Sequence, residues 1–253
     1  MAATIGAWLP LATALAAYAG FMWGNIGAVP VVARWLWRGG RGRHTALWCA
    51  KSIVLFALVS LIGLLIAGRA GAVIALPAEF GPARQLAISL AGDGRGIPLW
   101  WMVLALVAGG VIGGLVDRFR PRGRPWMLGD ISRLMPRHRR DLIGGAAMAI
   151  VAGTSEELFF RLFVPLAVAM ATGSATAGFA LSVILFAGAH GYQGWVGVVT
   201  TGGVGVLLTL FYLMIGSLGA AMLVHVVLDL NGLVLRPVMA GVLRVSSSSA
   251  TRS

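Results

Sequence analysis

Apolar residues run in long blocks along the chain, and polar residues collect between them. Seven blocks stand out, at about 5–32, 46–67, 97–116, 142–170, 174–190, 195–215 and 217–235. Most reach the ~20 residues that an α-helix needs to cross a bilayer core. None alternates polar and apolar positions over ~10 residues, as the strands of a membrane barrel would. Helices satisfy their own backbone groups in lipid. The pattern therefore predicts an all-α fold, a polytopic transmembrane helical bundle of about seven spans, the first bent near Pro30. The first block lacks a basic n-region, so it reads as a span and not as a cleaved signal peptide.

Composition agrees with this reading. Of 253 residues, 58% are hydrophobic and only 11% charged, which excludes intrinsic disorder and argues against an ordinary soluble domain. The net charge of +12 would suit nucleic acid, but its distribution points elsewhere. Arg34, Arg38, Arg41 and Arg43 make the first loop basic. Segment 117–141 carries eight Arg against Asp117, Asp130 and Asp141, a net +5, whereas 68–96 is close to neutral at +1. Arg236, Arg244 and Arg252 make the tail basic again. With seven spans, this alternation puts the N-terminus outside and the C-terminus in the cytoplasm by the positive-inside rule. The basic residues are a topology signal, and no nucleic-acid partner is expected. The tail 237–253, ending SSSSATRS, reads as disordered.

Cysteine and glycine add little chemistry. Cys49 is alone, so neither an intramolecular disulfide nor a CxxC metal site can form. The run GGVIGG sets Gly109 and Gly113 at small-xxx-small spacing, suited to close helix packing. No GxGxxG motif links a strand to a helix, and no internal repeat is evident.

Ionisable groups inside a span cost roughly 2.5–3.5 kcal/mol each on insertion scales, so the few present are candidates for function. Lys51 lies near a span end and can snorkel. The other six form three clusters. In EELFFR, Glu157 and Arg161 are four apart on one helix face, in the favourable order for an ion pair. Glu156 points about 100° away, leaving it free to act as a general base. In FAGAH, Phe186 and His190 share a face. In HVVLDLN, His225 and Asp229 share a face, where the carboxylate can set the imidazole tautomer, while Asn231 faces elsewhere. Two glutamates, two histidines, an aspartate and an arginine on three helices suit a hydrolytic site or a proton pathway.

The order EExxxR, FxxxH, HxxxN or HxxxD, each in its own hydrophobic helix, resembles the CAAX protease and bacteriocin-processing (CPBP, Abi-type) family. That family includes the type II CAAX prenyl endopeptidase. Here the motifs read Glu156-Glu157-Leu158-Phe159-Phe160-Arg161, Phe186-Ala187-Gly188-Ala189-His190 and His225-Val226-Val227-Leu228-Asp229. The resemblance implies a division into helices and basic loops over 1–140 and a peptidase core over 141–236. It implies an intramembrane glutamic endopeptidase in a bacterial cell membrane, needing no metal or other cofactor. Its substrate would be a peptide or membrane protein met at the lipid bilayer. By the same resemblance, Glu156 activates a water and His190 positions it. His225 and Asp229 stabilise the oxyanion, and Glu157, Arg161, Phe186 and Asn231 support the site. An ionised Asp229 accepts hydrogen bonds but cannot donate one, unlike Asn.

Three rival readings exist. Two histidines and several acids can bind zinc, but HExxH is missing and the ligands come from separate helices. A non-catalytic membrane scaffold or bacteriocin self-immunity protein would use the same bundle to bind a peptide. A proton-coupled transporter would show paired repeats and broken helices, which the sequence lacks.

Overall fold

The computed structural model describes residues 2–23, 41–93, 98–120, 131, 134–136 and 138–241. Among them every regular element is helical. The helices are α1 (Ala2–Trp23), α2 (Gly42–Ile66), α3 (Gly81–Ala91), α4 (Leu99–Phe119), α5 (Arg139–Thr172), α6 (Ala175–Ala189), α7 (Gly194–Ile215) and α8 (Leu218–Met239). Five spans among the described residues, with α7 counted from Gly191, are long and apolar enough to cross a membrane, and α6 is a shorter apolar helix. The chain is an integral-membrane helical bundle on these grounds. All seven apolar blocks fall on helices, the first as far as Trp23. The bend expected near Pro30 and the tail from residue 242 lie outside the described residues. Helix α8 and its closing turn occupy 237–241, the start of the segment read as tail.

Two Gly-Ser links set tight corners. Gly173 (φ +78°) ends α5 and Gly216 (φ +74°) ends α7, both in the left-handed conformation that glycine adopts without a Cβ clash. The next residue caps the following helix. Ser174 Oγ accepts from Ala177 N, and Ser217 Oγ accepts from Ala220 N, each at 3.2 Å. Links this short return the chain at once, so α6 packs on the second half of α5, and α8 packs beside α7.

Helix α5 is the centre of the bundle. It touches α1, α2, α6 and α8. Its 34 residues rise about 50 Å, well beyond the ~30 Å apolar core of a bilayer. It starts in the polar run Arg139-Arg140-Asp141, where Asp141 Oδ2 accepts from the His138 N–H at 3.0 Å. Around its middle, Phe159, Phe160 and Phe163 join Phe56, Phe80, Phe179, Phe186 and Tyr212 in one buried aromatic cluster. The Phe56 ring lies 4.6 Å from Phe159, and Phe160 lies 5.3 Å from Phe186. Inside lipid such packing holds helices together, because water is absent from both sides of the comparison.

Three helices contain a widened π-turn: Ile53–Leu58 in α2, Leu158–Phe163 in α5 and Asn231–Leu235 in α8. The last two end two residues before a proline, Pro165 and Pro237. A proline ring clashes with the carbonyl four residues back and offers no N–H to it, so the preceding turn opens. The Ile53–Leu58 turn has no proline behind it.

Two expectations change. The segment 68–96 is more than a loop. It holds α3, which buries Ala83 and Ala87, follows the buried Phe80 and packs on α7. Pro82 in the first turn favours its start, and at eleven residues it is too short to stand out as a span. The close-packed glycines of α4 are Gly110 and Gly114, one residue on from Gly109 and Gly113. A Cβ on Gly114 would lie 2.8 Å from the Arg236 carbonyl, whereas one on Gly109 would meet nothing within 4 Å. Both pairs share the same spacing, and the position of α8 selects between them.

Candidate active site

The three polar clusters meet beside the wide turn of α5. Glu157 and Arg161 are fully buried, with Arg161 Nε 3.3 Å from Glu157 Oε2. The guanidinium also lies over the Phe186 ring, 4.4 Å from its centroid. The buried cation thus faces a carboxylate and an aromatic quadrupole.

Glu157 has a second partner. Its Oε1 accepts from His225 Nδ1 at 2.8 Å, joining α5 to α8. His225 Nε2 then faces Asp229, 3.8 Å from Oδ2 and outside hydrogen-bond distance. The spacing of His225 and Asp229 assigned the tautomer to Asp229. In the structure Glu157 holds that bond, because it meets the ring from the neighbouring helix with better geometry.

His190 ends α6. Its Nδ1 lies 2.8 Å from the Phe186 carbonyl. A carbonyl only accepts, so Nδ1 carries the proton and Nε2 of the neutral ring is left as an acceptor. The Phe186 ring stands between the two imidazoles, with centroids 4.9 Å from His190 and 6.0 Å from His225.

Glu156 is 5% exposed. Its buried Oε2 takes no hydrogen bond from a described residue. It lies within coulombic range of His225, Asp229, Glu157 and Arg161. Of the eight candidate residues, Asn231 alone is set apart. It opens the wide turn of α8, and its Nδ2 donates to the Leu106 carbonyl of α4 at 2.5 Å.

Several supports carry no signature in the chain. Ser155, next to Glu156, shares a 2.8 Å hydrogen bond with Ser52 of α2. Ser182 of α6 donates to the Phe160 carbonyl inside the wide turn. Tyr18 of α1 packs edge-on against Phe160 at 6.4 Å. The only hint was a serine in an otherwise apolar block. Among the described residues, no group of three or more His, Cys, Asp or Glu is arranged to hold a metal ion.

All eight candidate residues thus fall between Glu156 and Asn231. Residues 139–231 match the family model described as type II CAAX prenyl endopeptidase Rce1-like. This is the CAAX protease family that the three motifs resemble, and the matched segment contains all of them. The match supports a protease, a hydrolase, working in a membrane. No curated protein and no solved structure matches the chain.

Proposed function

We propose that the protein is an intramembrane endopeptidase that uses Glu156 to hydrolyse a peptide bond of a membrane-associated protein or peptide. The observation that carries this reading is the meeting of the three motifs. The Glu157–His225 bond ties the first to the third, and Phe186 of the second packs against Arg161, His190 and His225.

The chemistry follows from the free valences. Water must be bound, deprotonated and aimed at a carbonyl carbon. Glu156 Oε2 accepts one water proton, and His190 Nε2 accepts a hydrogen bond from the other. The water oxygen bonds to the carbonyl carbon, and the carbonyl π electrons move onto oxygen. His225, as the imidazolium, donates Nδ1–H to Glu157 and presents Nε2–H to that oxyanion. The proton on Glu156 passes to the amide nitrogen, the C–N bond breaks, and a carboxylic acid and an amine form, which exchange a proton and leave as carboxylate and ammonium. Glu157, Arg161 and Phe186 act through His225 and His190 by fixing their positions. No step needs a metal. The motifs report the hydrolytic centre and not the substrate groove, so a prenyl group on the substrate is not implied.

The test is Glu156→Ala and His190→Ala in cells whose own copy of the gene is deleted, with membrane proteomics of protein N-termini. Uncleaved substrate should accumulate while both variants still insert. Full complementation by both would refute the peptidase reading and favour a non-catalytic scaffold.

A further inference from the structure

The candidate centre is rich in acceptors and poor in donors. Ionised Glu156, Glu157 and Asp229 can only accept. His190 spends Nδ1–H on the Phe186 carbonyl, and His225 spends Nδ1–H on Glu157. Arg161 is sealed between Glu157 and Phe186. As an imidazolium, His225 still offers Nε2–H to the oxyanion of the proposed reaction. Asp229 stands where Asn would have offered a second donor.

Tyr192 is placed to supply it. It lies in the turn Gly191–Gln193, directly after His190 and before α7. Its ring centroid is 6.0 Å from that of His190, with the planes 32° apart. The phenol is within coulombic range of both Glu156 and Asp229. The residue is 50% exposed, and the hydrogen bond that its oxygen makes is exposed as well. Gln193 Nε2 donates to the Tyr192 oxygen at 3.1 Å. That bond occupies a lone pair and leaves the phenolic hydrogen to point elsewhere. Gly197 permits it, because a Cβ there would overlap the Gln193 side chain.

We infer that Tyr192 O–H is a second oxyanion donor, doing at the turn after α6 what Asn would do at position 229. The inference rests on the endopeptidase reading. The phenol keeps its proton throughout. It donates a hydrogen bond that strengthens as negative charge gathers on the substrate oxygen.

The test replaces the gene by wild type, Glu156→Ala, Tyr192→Phe, Asp229→Asn or the double variant Y192F/D229N. The readout is the rate at which Glu156-dependent N-termini appear in the membrane proteome, with protein level and thermal midpoint measured alongside. Removing one oxyanion donor should slow cleavage about 100-fold. The half-exposed ring remains, so level and midpoint should match wild type. Asp229→Asn should restore at least tenfold in the Tyr192→Phe background, because an amide N–H replaces the lost O–H. Cleavage by Tyr192→Phe within twofold of wild type overturns the inference. So does a loss that Asp229→Asn fails to rescue, or a loss of the protein itself. If wild type yields no Glu156-dependent termini, the endopeptidase reading has failed and the donor falls with it.

Discussion

Gly153→Ala tests how closely α5 and α8 must approach. Gly153 lies one turn before Glu157, and Val226 follows His225. A Cβ on Gly153 would stand 2.6 Å from Val226 Cγ2, 2.7 Å from its backbone N and 3.0 Å from its Cα. Ordinary carbon contacts are about 3.5–4.0 Å. Rotating Val226 relieves only the first contact, so the helices must part by about 1 Å. The Glu157 Oε1–His225 Nδ1 bond, now 2.8 Å, would stretch past hydrogen-bond range. Overpacking of this kind costs about 1–3 kcal/mol, and a 1 Å misplacement near reacting groups can cost about 100-fold in rate. Thermal unfolding in detergent and the N-terminus assay measure the two effects separately. Gly109→Ala is the control, because its new methyl meets nothing within 4 Å and alanine favours a helix. Equal stability and cleavage in Gly153→Ala and wild type would refute the close approach. Equal damage from Gly109→Ala would show that any glycine replacement is harmful.

Other substitutions probe the buried charges. Glu157→Gln removes the carboxylate that faces Arg161, and should lower stability by about 3–5 kcal/mol and the protein level in membranes; Glu157→Gln with Arg161→Met should recover much of it, as scored by level and thermal midpoint. Asp229→Asn alone should cleave within a few-fold of wild type in the N-terminus assay, and a loss above tenfold would show that the Asp charge is required. Purified protein treated with a strong chelator should keep its rate on a substrate identified by that assay; a loss restored by zinc would reinstate the metalloprotease. Asp117 and Arg236 form a partly buried pair between α4 and α8, at 2.7 Å. Asp117→Asn and Arg236→Gln should each lower the midpoint, and a double-mutant cycle should show coupling of roughly 1 kcal/mol.

The helices were legible because lipid imposes length and apolarity, and their corners because Gly173-Ser174 and Gly216-Ser217 pair a helix stop with a helix cap. The inward face was not. In a soluble protein, apolar periodicity marks the buried side of a helix. In a bilayer both lipid and neighbouring helices accept apolar side chains, so the period carries little direction. The choice of Gly110 and Gly114 over Gly109 and Gly113 shows the consequence. Helix α3 was missed for a related reason. Its small buried residues, Ala83 and Ala87, sit among charged and polar neighbours that read as a loop.

The site was legible as three clusters but not as one bonded unit. Within a helix, four-residue spacing identifies real neighbours, and Glu157–Arg161 follows from it. Between helices no spacing applies, so the bond from Glu157 to His225, 68 residues on, could not be read from the chain. One signal was present and unused. Pro165 and Pro237 each follow a polar motif, and each opens a wide turn upstream. The first holds Arg161 and exposes the Phe160 carbonyl to Ser182. The second begins at Asn231 and turns it toward α4. A proline shortly after a buried charged motif is thus a local cause for a side chain leaving its ideal helical bearing. In HVVLDLN it agrees with the spacing, which keeps Asp229 on the face of His225 and turns Asn231 away, and it adds the helix toward which Asn231 turns.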